Sequence, residues 1–121
     1  MDDSIDILTQ TLCDFQIVLL HNPDGLEYLL RRLVSTKRIL AKPTLFLAGH
    51  THGSTINLPI IRHGALRVCK TQYGRYMGWY GPKGKYAHTG NWQLYVSTGM
   101  GNSPGFDFRI NARQEVVLFT L

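Results

Sequence analysis

The chain has 121 residues, 44% apolar and 17% charged, with two cysteines and a net charge of +5. That length suits one small domain, and that composition excludes a disordered chain, a collagen-like repeat and a disulfide-dense scaffold. The charge is uneven, with four Lys/Arg against six Asp/Glu in residues 1–40 and nine against two in residues 41–121, and a basic second half suits phosphate esters, nucleic acid or an acidic partner alike.

The opening MDDSIDIL is acidic and does not read as a secretory signal. No apolar run approaches the roughly 20 residues that span a bilayer. Cys13 and Cys69 therefore read as reduced thiols rather than a disulfide. FQIVLL (15–20) is a continuous apolar, β-branched run and predicts a buried strand of the parallel-sheet type. HNPD (21–24) ends it, and Pro23 disfavours helix at Asn22. Asp24 followed by Glu27 predicts a helix N-cap with its capping-box acid. Leu26, Leu29, Leu30, Leu33 and Val34 then share one helical face. TLFLA (44–48), opened by Pro43, is a second strand. The first 50 residues thus predict one βαβ unit with a right-handed crossover. A β-rich segment follows: INLPII (56–61), ALRVC (65–69), QLYVSTG (93–99), FDFRI (106–110) and EVVLFTL (115–121). Dense glycine between residues 74 and 105 predicts loops and hairpins. No linker or repeat interrupts the chain, so residues 1–121 read as one α/β domain.

Candidate site residues come from the strand ends. His21 follows the first strand, and His50 and His52 follow the second, where open α/β sheets place their sites. In extended backbone His50 and His52 would project to the same side. Gly49 and Gly53 permit unusual backbone angles and close approach to a ligand. Neutral imidazole is the commonest side-chain metal ligand. A lone histidine after a strand is more often a surface residue, and His63 and His88 read that way. The glycine-bracketed H-x-H, with His21 on the neighbouring strand end, favours a metal. Asp24 has two readings, as helix cap and as the partner that orients His21. RYMGWYGPKGKY (75–86) interleaves basic and aromatic residues. It reads as a hairpin packed on the sheet, or a wall facing substrate, in preference to a nucleic-acid surface.

G-H-T-H-G after one apolar strand, with H-N-P-D after another, resembles the calcineurin-like metallophosphoesterase family. The nearest likeness is to its bacterial branch with a GHTHGGQ signature. NLPI (57–60), YGRYMGWY (73–80), LYVSTGMG (94–101) and RINARQEVVLFTL (109–121) extend the likeness over most of the chain. The resemblance implies a β-sandwich flanked by helices, of which this chain is the C-terminal half. It implies two divalent ions (Mn, Fe or Zn), with His21 and His50 on the second metal and His52 on the first. It implies a phosphorylated small-molecule or lipid-type substrate, with Arg75, Lys83 and Lys85 on its side of the cleft. The family's D-x-H, G-D-x-x-D and G-N-H motifs are absent, and Ser54-Thr55 stands where the branch has Gly-Gln. The expectation is therefore the C-terminal part of a phosphoesterase, either a truncated product or one chain of a split pair whose other chain is the N-terminal half, holding one metal or none by itself. A catalytically inactive remnant or interaction module is the alternative. The cytoplasm is the default location, and a missing N-terminal part could add membrane attachment.

Overall fold

The computed structural model describes residues 3–10, 12–54, 71–75, 77–101, 109 and 113–120. The predicted βαβ unit forms as β1 (Gln16–Leu20), α2 (Asp24–Thr36) and β2 (Thr44–Ala48), preceded by a helix α1 (Asp3–Gln10) that the sequence reading missed. β3 (Gly78–Tyr80) and β4 (Trp92–Val96) complete a four-stranded mixed sheet in the order β1-β2-β4-β3. β1, β2 and β4 are parallel neighbours, and β3 runs antiparallel to β4. The architecture is α/β.

Register separates the two faces of the sheet. Val18, Phe46, Leu94 and Tyr80 form one cross-strand row, with Leu20, Ala48 and Val96 beside it. This face meets Leu26, Leu30 and Leu33 of α2, all three fully buried. Each such leucine contributes roughly 1.5–3 kcal/mol by leaving water. Leu29 packs at the margin of the core, whereas Val34 is exposed. On the opposite face, Ile17 and Leu19 of edge strand β1 are exposed, Leu19 to 77%.

The capping box predicted at Asp24 and Glu27 does not form. Asn22 Oδ1 accepts the Asp24 N–H at 2.9 Å instead. Asp24 and Glu27 turn to a later segment: Asp24 Oδ2 accepts the Gln72 N–H at 2.9 Å, and Glu27 binds Arg75 and Tyr86. A tertiary partner has displaced the local one. At the other end, Arg38 N–H bonds Leu33 O and Lys37 N–H bonds Val34 O. With Lys37 left-handed at φ 54°, these are the two bonds of a Schellman motif. Helix α1 buries Ile5, and its Asp6 pairs with Arg38 just beyond α2.

The strands predicted at 56–61 and 65–69, and most of 106–110, lie outside the described residues. Residues 113–120 form no regular strand. They are held individually, with Glu115 N–H on Gly99 O at 3.0 Å and Phe119 packed edge-on against Trp79 and Tyr95. Cys13 is a free thiol. Among the described residues no helix is long and apolar enough to cross a membrane.

Candidate functional site

Parallel pairing of Leu20 with Ala48 brings the carboxyl ends of β1 and β2 side by side. The chain leaving β2 stays tied there, because Gly49 N–H reaches His21 O at 3.3 Å. The His21 and His50 rings consequently meet, with centroids 4.8 Å apart and planes tilted by 57°.

His50 occupies an uncommon backbone state. Its φ is +68°, and Thr51 N–H bonds Gly49 O across it at 2.8 Å. A positive central φ under an i to i+2 bond is the strained form of γ-turn. His52 (φ 49°) and Gly53 (φ 60°) are left-handed as well, in a 3₁₀ turn over His52–Ser54. The extended backbone assumed from sequence is therefore replaced by a tight left-handed path. His50 and His52 lose the shared direction that alternation gives.

His52 turns to the loop after β4. Ser97 N–H bonds Ala48 O at 2.8 Å, which lays that loop along the end of β2. The Gly101 carbonyl then stands 3.0 Å from His52 Nδ1. Of the three predicted histidines, the structure pairs His21 with His50 and seats His52 on Gly101. Among the described residues no group of three or more His, Cys, Asp or Glu side chains is gathered to hold one ion.

The His21 and His50 rings are close enough to be compared with a pair of ligands on one ion. With metal–nitrogen bonds of about 2.0–2.1 Å, ring centroids lie about 3.2 Å from the ion, so ligand angles of 90–110° separate two centroids by about 4.5–5.2 Å. The observed 4.8 Å falls within that range, and it is also an ordinary separation for two tilted rings in contact.

Two of the three basic residues assigned to substrate, Arg75 and Lys85, have other partners. Arg75 Nη2 pairs with Glu27 Oε2 at 3.0 Å. Lys85 Nζ lies 3.8 Å from Glu27 Oε1 and 4.9 Å from the Tyr86 ring centre, while Lys83 is exposed. Asp24 is committed to Gln72 on one oxygen, and its Oδ1 is buried without a hydrogen-bond partner among the described residues. His88 is exposed as expected, and His63 lies outside the described residues.

Sequence reasoning missed three residues. Glu27 is a buried hub for Arg31, Arg75, Lys85 and Tyr86. Glu115 Oε1 accepts from Tyr95 Oη and Thr98 N–H, both at 2.9 Å. Burial and this carboxylate push the Tyr95 phenol above its ordinary value. Arg109 reaches the Gly101 carbonyl, and burial lowers its guanidinium from the ordinary value against the opposing charge of Glu115. Glu27 was read only as a capping-box acid, and its bonds to Arg75 and Tyr86 and those of Glu115 to Tyr95 and Thr98 span separations that no local pattern marks.

The γ-turn makes a direct prediction. H50G and H50A remove the same imidazole, but only glycine occupies a positive φ freely. H50G should be more stable than H50A by about 1–2 kcal/mol in urea melts. Equal stability would show that this backbone is not held left-handed.

Against known proteins, no family model, no curated protein and no solved structure gives a significant match to the chain.

Proposed function

We propose that the chain is the C-terminal part of a metal-dependent phosphoesterase, a hydrolase of phosphate-ester or pyrophosphate bonds. The observation that carries this reading is the His21–His50 pair at adjacent parallel strand ends, with His50 in a strained turn. Strain of this kind persists where surrounding structure imposes it, and it clusters at functional sites. His21 and His50 would hold one divalent ion. Bound there, the ion would polarise a phosphoryl oxygen and lower the pKa of an attacking water. The family resemblance of G-H-T-H-G and H-N-P-D points the same way.

Support for a missing partner half comes from β1. Among the described residues it is the edge strand of a parallel run, with Ile17 and Leu19 exposed. Parallel strands ordinarily have both neighbours and both faces covered. Such an edge is suited to the strands of an N-terminal half.

Calorimetric titration with Zn²⁺ and Mn²⁺ tests the metal assignment. The wild-type chain should bind one equivalent, with affinity falling in acid as protons compete for the imidazoles. H21A and H50A should each weaken binding by at least about tenfold. Unchanged binding in both variants would remove the assignment, and no binding by the folded wild type would favour the remnant reading.

A further inference from the structure

His52 Nδ1 has two polar neighbours, Gly101 O at 3.0 Å and Arg109 Nη2 at 3.4 Å. A carbonyl oxygen can only accept, so the shorter contact is a hydrogen bond only if Nδ1 carries the proton. The opposite tautomer would set a nitrogen lone pair against the carbonyl. The longer contact then follows from two donors converging on one oxygen, because Arg109 also donates to Gly101 O.

The carbonyl is itself held in place. Arg109 Nη1 reaches Arg113 O at 3.3 Å, so one guanidinium bridges the loop after β4 to the C-terminal segment. The same two stretches are joined by Thr98 Oγ1 to Arg113 O, Gln114 Nε2 to Met100 O and the Glu115 bonds to Thr98 and Gly99. Gly101 packs on the ring edge, where a Cβ would stand 3.7 Å from His52 Cε1.

We propose that Arg109 is a positioning residue for His52. It pins the Gly101 carbonyl, which holds the imidazole in its Nδ1–H form and leaves the Nε2 lone pair free to bind a metal or accept a proton. Partners of this kind fix the tautomer and direction of ligating histidines. A metal-binding role for His52 rests on the phosphoesterase reading, but the tautomer does not.

The test is long-range ¹H–¹⁵N correlation of the imidazoles in the metal-free chain, at a pH raised until their signals no longer move. Wild type should show His52 protonated at Nδ1. R109M and R109Q remove the charge and keep much of the side chain's bulk, and in them His52 should shift to the Nε2–H form. R109K, which keeps a charged donor, should retain the wild-type form. A zinc titration of the wild-type chain, run in parallel, reads the His21–His50 pair, which does not include His52. An Nε2–H tautomer in wild type overturns the proposal before any variant is made. An unchanged Nδ1–H tautomer in either folded neutral variant overturns the role of Arg109. The expected tautomer shift with no zinc binding in wild type would sustain this inference while sinking the metal reading.

Discussion

Replacing Glu27 with glutamine should destabilise the fold by about 3 kcal/mol, the scale for breaking a buried charge pair on one side. Glu27 is only 4% exposed. Its Oε1 accepts from Arg31 Nε at 3.1 Å and from Tyr86 Oη, and its Oε2 accepts from Arg75 Nη2 at 3.0 Å. Glutamine keeps the shape but turns an NH₂ toward one of those donors and leaves Arg75 without a counter-charge. The loss should release the 71–86 segment, which the hub ties to α2. R31Q is the control, because Arg31 is half-exposed and surface pairs contribute little. The pH dependence follows from the same contacts. Burial raises the Glu27 carboxyl, but hydrogen bonds from Tyr86, Arg75 and Arg31, with the charge of Arg75, bring it net below its ordinary 4.5. A lowered folded-state value means the stabilisation is complete above the unfolded-state value and disappears as pH falls through the folded one. Urea melts between about pH 3 and pH 7 should therefore lose stability in acid more steeply for wild type than for E27Q. Identical acid slopes, or an E27Q variant as stable as wild type, would show that the hub carries little.

The elements legible in sequence were those whose pattern is local. TLFLA became β2 residue for residue, and FQIVLL became β1 with only Phe15 outside it. The leucine stripe predicted α2 and its buried face. Helix α1 was missed because two turns contain too few apolar positions to stand out from an acidic start. The capping box was a plausible local solution that long-range partners displaced: Gln72 and Arg75 are 48 residues from the carboxylates they bind. EVVLFTL has strand composition, yet residues 115–120 join no regular ladder. Composition shows that a segment suits a strand, but a strand also needs a neighbour in register.

Chain order likewise explains how much of the candidate site could be read. His21 and His50 were found because parallel strand ends converge, a rule that needs no coordinates. The direction of His52 was not legible, because the left-handed angles at residues 50, 52 and 53 break the alternation on which that expectation stood. Its partner was not legible either, since Gly101 contributes only a backbone carbonyl. Arg75 was assigned to the substrate side by the family resemblance, and the carboxylate it pairs with, Glu27, lies on α2.

On the phosphoesterase reading, the chain alone should hydrolyse p-nitrophenyl phosphate and its bis ester poorly or not at all in the presence of Mn²⁺. Fusion to an N-terminal half carrying D-x-H, G-D-x-x-D and G-N-H should raise the rate by at least about a hundredfold. Two divalent ions about 4 Å apart repel by roughly 16 kcal/mol even at an effective dielectric constant of 20. A carboxylate set between two ions offsets that repulsion, and among the described residues no carboxylate joins the histidines in a ligand group. No acidic residue lies between Glu27 and Asp107. Glu27 is held by cations and Tyr86, Glu115 by Tyr95 and Thr98, and one oxygen of Asp24 by Gln72. The fusion would supply the absent carboxylates and cover the exposed edge at Ile17 and Leu19. It should therefore be both more active and less prone to associate through that edge, which sedimentation would show. H50A within the fusion should abolish the gain without unfolding it. Full activity in the lone chain, lost in H50A, would mean that a single ion suffices and that the carboxylate requirement is wrong. A soluble, metal-loaded fusion with no activity would instead identify the chain as a remnant that kept its histidines and lost the reaction.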